Sequence, residues 1–177
     1  MNDQRYHPLS SILHWIMVIM LAWLIWGGRS LETFYERSGG DLNATIGAFS
    51  QHKAIGVAVF FLAVARIAIR MVTSAPPHEE GIRGLAALWV QRALYATLLI
   101  YPLTGFAFHS ASTGFKTDVT WGPLTFPDLP IGGEGFWHQA HIACFYLLGS
   151  LLILHISGAL FHLIVKRDGM FRRILPF

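Results

Sequence analysis

Histidines inside long apolar segments are the residues of this chain most able to do chemistry. The sequence of 177 residues has nine histidines. Those within or at the ends of these segments include His14, His52, His141, His155 and His162. An ionisable side chain costs free energy in hydrocarbon, so its presence there indicates a function. Because imidazole is an axial ligand of haem iron, we interpret these histidines as candidate haem ligands.

The spacing of two histidines in the last apolar segment predicts two haems. His141 and His155 are fourteen residues apart. This is close to four helical turns, so both side chains share one helix face, about 21 Å apart along the axis. Such a separation suits two haems stacked across a hydrocarbon core of about 30 Å.

Depth in the membrane predicts how the ligands pair. His52 opens the second apolar segment, and His141 enters the fourth near the same membrane surface. These two are predicted to hold one haem. His14 lies near the opposite surface in the first segment, and His155 is the deeper ligand of the fourth, so this pair is predicted to hold the other.

Two further histidines compete for these roles. His138 precedes His141 by three residues, but its seventeen-residue distance from His155 turns it about 100° off the shared face. His162 matches the depth of His14 and stays an alternative to His155. If His141 and His162 were the two ligands on this helix, they would lie about 31 Å apart along its axis, and the two haems would then lie at the membrane edges.

Two residues of the second segment are predicted to contact haem. Arg66 follows His52 by fourteen residues and therefore shares its face about 21 Å deeper. A buried arginine requires an anion, and a haem propionate is one. Gly56 lies one turn after His52 and leaves room for a macrocycle.

Four apolar segments are long enough to carry these residues across a membrane, which takes about 20 helical residues. They cover residues 9–27, 52–72, 85–109 and 136–165, with Pro102 as a predicted kink in the third. We therefore predict an all-α integral membrane four-helix bundle, up-down-up-down, in one domain over residues 1–177. The first segment lacks a cleavage site of the A-x-A type and is interpreted as a retained helix. The Gly- and Pro-rich residues 110–137 are predicted to form a compact cap.

Composition supports a membrane protein and excludes other classes. Apolar residues make up 54% of the chain and charged residues 13%, against a usual quarter. The net charge of +3 comes without a long run of like charge, so no nucleic-acid partner is expected. The single cysteine, Cys144, excludes an intrachain disulfide and Cys-x-x-Cys-His haem attachment.

The distribution of Lys and Arg predicts that both termini are cytoplasmic, because cytoplasmic loops are rich in these residues. The side with the termini has nine: Arg5, Arg66, Arg70, Arg83, Arg92, Lys166, Arg167, Arg172 and Arg173. The opposite side has four: Arg29, Arg37, Lys53 and Lys116.

Ordered motifs along nearly the whole chain resemble the bacterial cytochrome b561 family. They are "LHW" at 13–15, "QHKAIG" at 51–56, Arg66 with Arg70, Pro76 with Pro77, His141, "LH" at 154–155, His162 and the ending "KRDGMFRRILP" at 166–176. The resemblance implies a bacterial inner-membrane protein with two b haems, ligated by His14 with His155 and by His52 with His141. It also implies electron exchange with ubiquinone or a similar quinone, and one member is a superoxide oxidase.

The resemblance and the spacing together assign two further residues. His162 follows His155 by seven residues on the same face, about 10 Å further on, and an imidazole can hydrogen-bond a quinone carbonyl and relay its proton. Lys53, directly after His52, could attract a small anionic donor such as superoxide. The alternatives are a His162 bonded only to a neighbouring helix and a Lys53 that neutralises a propionate or snorkels.

Two rival functions stay open at this point. The chain could be a haem-bearing membrane anchor or electron-carrier subunit that docks a separate redox enzyme through residues 110–137. It could also be a membrane protein whose histidines bind metal or protons without haem.

Overall fold

Four long helices make up most of the computed structural model, which describes residues 5–37, 39, 42–73, 76, 79–113 and 118–176. Side chains at 29, 32, 34–36 and 42–44 lie outside that description, as do Pro77, His78 and Lys116. The helices are α1 (Pro8–Arg37), α2 (Leu42–Val72), α3 (Gly81–Ala111) and α4 (Glu134–Leu160). A π-helical turn (Phe161–Lys166) and a 3-10 helix (Met170–Ile174) follow α4.

Each helix contains a span long and apolar enough to cross a membrane. The spans are Pro8–Gly28, Thr45–Val72, Gly81–Ala111 and Glu134–Lys166, with mean hydropathies between 1.2 and 2.2. Large apolar side chains point outward from the bundle, as lipid contact requires. The predicted all-α, four-helix membrane fold is confirmed.

Helices α1 and α2 extend beyond the predicted apolar segments on the side of the first connection. Helix α1 continues ten residues beyond residue 27, to Arg37, and α2 begins at Leu42, ten residues before His52. Hydropathy detects only the part of a helix that lies in lipid. A helix can continue into water with a more polar sequence, because its backbone hydrogen bonds do not depend on apolar side chains. Leu31, on the continuation of α1, is buried.

The two chain ends meet at one end of the bundle, called here the terminal end. The Tyr6 backbone N–H donates to the Arg173 carbonyl at 3.1 Å. The Trp15 indole N–H donates to the Ile174 carbonyl at 3.2 Å. An even number of spans returns the chain to the side on which it started.

The opposite end, called here the cap end, has a small hairpin. Strand β1 (Val119–Trp121) pairs antiparallel with β2 (Leu124–Phe126). The Trp121 ring stacks on Phe61 of α2 with ring centroids 5.1 Å apart. At the start of α4, Glu134 accepts a hydrogen bond of 3.0 Å from the Ser112 hydroxyl. These contacts tie the described residues of this connection, 112–113 and 118–134, to the bundle.

The buried core lies between the two histidine levels. Val59 and Ala63 are between His52 and Arg66 on α2, at 2% and 0% exposure. The other members of this cluster are Met17, Leu94, Leu98, Leu148 and Leu151. The core therefore separates the cap-end histidines from the terminal-end histidines and holds the four helices at fixed spacing.

Candidate haem-binding sites

The cap-end pair is formed by His52 of α2 and His141 of α4. Their ring centroids are 6.3 Å apart, with ring planes at 78°. Both rings line one cavity, together with Leu21, Leu24, Ile25, Gly56, Val59, Leu98, Tyr101, Pro102, Phe145 and Leu148. The histidines are the ligand-type groups in an otherwise largely apolar lining.

The terminal-end pair is formed by His14 of α1 and His155 of α4. Its ring centroids are also 6.3 Å apart, with ring planes at 70°. The sequence left His162 open as an alternative partner of His14. The ring of His155 faces His14, whereas the ring of His162 faces the carboxylates of Glu79 and Asp168.

The ring separation in both pairs fits an iron atom between two imidazoles. A metal bound to one nitrogen of each ring at about 2 Å would hold the two centroids roughly 6 Å apart. In addition, the buried Nδ1 of His52 has no hydrogen-bond partner among the described residues. Two such pairs at two depths are what bis-histidine ligation of two haems requires.

Comparison with known proteins shows the family of this chain. A family model described as prokaryotic cytochrome b561 matches residues 5–177. This chain belongs to that family. A cytochrome b562 from Cereibacter sphaeroides is 23% identical over 174 residues, which cover 98% of this chain and 97% of the relative. As a cytochrome b561 family protein with four spans, the chain is a multi-pass membrane b-type cytochrome of electron transfer.

Arg66 lies beside the terminal-end pair in this cytochrome. It is 8% exposed, and its Nη1 is 2.6 Å from Nδ1 of His14. Its buried Nε has no hydrogen-bond partner among the described residues. Because a guanidinium only donates, Nδ1 of His14 accepts in this contact and the ring proton lies on Nε2. Binding of iron through Nε2 would therefore require Arg66 to release His14, and the guanidinium would then be available to an anion such as a propionate.

Glycines next to the cap-end rings have two different roles. At Gly56, which lines the cavity, an added Cβ would meet nothing within 4 Å, so the helix leaves open space there. At Gly105 of α3, an added Cβ would be 2.8 Å from Cε1 of His141. Sequence analysis missed Gly105, because α3 contributes neither histidine of the two pairs and spacing alone does not reveal which α3 residue faces the ring.

His162 lines a pocket at the terminal end, with Tyr6, Pro76, Glu79, Arg83, Gly84, Ala87, Gln91, Met170 and Arg173. The π-helical turn carries His162, and the left-handed residues Arg167 (φ 52°) and Gly169 (φ 75°) then reverse the chain. This reversal brings Asp168 back to His162, whose Nδ1 is 2.7 Å from Oδ2 of Asp168.

The other nitrogen of His162 points toward a second carboxylate. Nε2 of His162 is 3.7 Å from Oε2 of Glu79, which is too long for a direct hydrogen bond. Lys166 donates to Glu79 at 2.6 Å, and this hydrogen bond lowers the pKa of Glu79 below its usual value. Nε2 is therefore the ring atom left for a ligand in the pocket.

Lys53 of α2 belongs to a polar chain at the cap end. Its Nζ is 3.1 Å from Nδ1 of His109, and Nε2 of His109 is 3.1 Å from Oδ1 of Asp128. His109 is 9% exposed, because the cap covers it. The chain of contacts connects α2, the end of α3 and the cap directly beside the ligand candidate His52.

His138, the other competing histidine, does not face His52. Its ring packs against Phe108 of α3, with centroids 4.9 Å apart. The rotation argued from the spacing accounts for this difference, since His138 and His141 point to different sides of α4.

Proposed function

We propose that this protein is a cytochrome with two b haems that transfers electrons across the bacterial inner membrane. The observation that carries the proposal is the pair of histidine couples, each with ring centroids 6.3 Å apart, on opposite sides of the core. His52 and His141 would hold the cap-end haem, and His14 and His155 the terminal-end haem. The excess of Lys and Arg at the terminal end supports a cytoplasmic orientation of both termini.

When bound, the two haems supply the one-electron redox centres between a periplasmic donor and ubiquinone or a similar quinone. The chain itself positions the ligands on rigid helices and excludes water with its apolar core. Arg66, which contacts His14, would compensate the negative charge of a propionate at the terminal-end haem. Gly56 would leave space for the macrocycle at the cap-end haem.

The terminal-end pocket suits the quinone. Asp168 accepts from Nδ1 of His162 and so fixes the ring, which leaves Nε2 toward the pocket and Glu79. A quinone gains two electrons, which two donor ions supply one at a time, and two protons to become a quinol. The protonated ring of His162 can give the Nε2 proton to one carbonyl oxygen, and a proton taken up from water at the terminal end supplies the second. Ionised Glu79 would stabilise the imidazolium between turnovers.

The cap end suits a small anionic donor, and superoxide is the donor we propose. Each superoxide ion gives up one electron and leaves as dioxygen, so no proton is needed at this end. The ammonium group of Lys53, next to His52, would attract the anion. Its contact with His109 holds the charge in place beside the ligand.

We expect superoxide generated on the cap side of proteoliposomes to reduce quinone in the membrane. Lys53→Gln should slow reduction about tenfold at low ionic strength, and the difference should shrink as salt screens the charge. Stopped-flow spectroscopy of haem reduction measures this rate. Arg172→Gln, an exposed cation at the terminal end, is the matched control and should have no effect. If superoxide fails while quinol or a protein donor reduces the haems, the donor assignment is wrong.

A second function, a haem-bearing anchor for a separate redox enzyme, is favoured by one observation. The cap exposes large apolar side chains, with Trp121 at 42%, Leu124 at 54% and Leu129 at 44% exposure. Such a surface could dock a partner. Reproducible co-purification of a soluble redox enzyme, lost on Leu124→Asp, would support the anchor over the superoxide-linked enzyme.

A further inference from the structure

One threonine hydroxyl of α3 contacts the ring of His141. Thr104 of α3 is 7% exposed, and its Oγ1 lies 2.7 Å from the carbonyl oxygen of Tyr101. A carbonyl can only accept, so the single hydroxyl proton of Thr104 is donated there. The same Oγ1 lies 3.2 Å from Nδ1 of His141. With its proton already used, Oγ1 must act as the acceptor in this second contact.

The proton count then fixes the tautomer of the ring. If Oγ1 accepts, Nδ1 of His141 carries the proton and Nε2 carries the free lone pair. A neutral imidazole binds a metal through the nitrogen that lacks the proton. We propose that Thr104 is a positioning residue, which holds His141 in the Nδ1–H tautomer and presents Nε2 to the iron of the cap-end haem. This inference rests on the proposed haem site.

Two further residues of α3 pack closely against the ring of His141. Tyr101 lies against His141 with ring centroids 4.4 Å apart. Gly105, next to Thr104, allows the imidazole to approach the α3 backbone, since a Cβ there would lie 2.8 Å from Cε1. Helix α3 therefore orients a ligand that it does not itself supply.

The two ligands of the cap-end pair differ in this respect. His52 has a buried Nδ1 without a hydrogen-bond partner in the part of the chain that the structure describes, whereas the ring of His141 has two polar contacts, with the Thr104 hydroxyl and with the Tyr101 backbone. A hydrogen bond donated by the distal ring nitrogen increases the basicity of a ligating imidazole. It stabilises ferric iron and so lowers the reduction potential of that haem.

The test replaces the hydroxyl by a methyl group of similar size. In Thr104→Val we expect the reduction potential of one haem to rise and its low-spin EPR g-values to shift, with the other haem unchanged. Retention of that haem during extraction should fall about tenfold. Thr104→Ser, which keeps the hydroxyl, should restore the wild-type values. Thr97→Val is the control, because Thr97 lies two turns earlier on the same helix and is equally buried, at 4% exposure.

Two results would overturn the assignment. If Thr104→Val leaves both potentials and the EPR spectrum as in the wild type, Thr104 does not position the ligand. If Thr97→Val shifts the same haem by the same amount, the effect is one of packing. A wild-type protein with one haem or none would instead refute the two-haem proposal itself, before any Thr104 variant is made.

Discussion

Alanine at His52 or at His141 is expected to remove the same haem, reducing the haem content from two to one per chain. Alanine at His14 or at His155 should remove the other haem. The physical reason is that each pair holds its rings 6.3 Å apart, so the loss of one imidazole leaves the iron with a single protein ligand. Haem content per chain and the reduced absorption spectrum of each variant measure the outcome.

Two results would contradict the proposed pairing of the histidines. If His14→Ala and His155→Ala depleted different haems, the depth argument would be wrong. If His162→Ala depleted a haem while His155→Ala did not, the ligand on α4 would have been misassigned. His138→Ala is the matched control, because His138 lies on the same helix but packs against Phe108, and it should retain both haems.

Quinone reduction is expected to fall about 100-fold in His162→Ala, because a positioned general acid contributes on that order. Both haems should stay bound and should still be reduced by the donor. Asp168→Asn should give an intermediate loss and change the pH dependence of the rate, since Asp168 fixes the ring at 2.7 Å rather than contacting the quinone. The measurement is pre-steady-state oxidation of the reduced haems by quinone.

A control separates chemistry from the loss of the pocket. Met170→Leu changes a pocket-lining residue while conserving its apolar volume, and it should keep the wild-type rate. An unchanged rate in His162→Ala would remove this histidine from the mechanism and leave it as a structural partner of Glu79 and Asp168.

The membrane fold was predicted from the sequence, and so were the two histidine pairs that the structure places side by side. The reason is that helix geometry converts spacing directly into position, as the fourteen residues from His141 to His155 illustrate. The apolar segments likewise located the spans, since lipid imposes a hydropathy that water does not. Whether the paired histidines bind haem stays a prediction.

Other features depend on contacts that spacing does not encode. Thr104 and Gly105 are ordinary residues in an apolar helix until the packing of α3 on α4 brings them to His141. His109 is the last residue of the third apolar segment, and it is buried because the cap covers it and provides Asp128 as a partner. Asp168 reaches His162 only through the reversal at two left-handed residues.

The most direct test of the central claim is a reduced-minus-oxidised spectrum of the purified protein, combined with haem and protein quantification. We expect a b-type spectrum, with two haems per chain and no covalent attachment, so that acidified organic solvent extracts all of the haem. A protein with a b-type spectrum but one haem per chain would contradict one of the two histidine pairs. A protein with no haem would contradict the account as a whole.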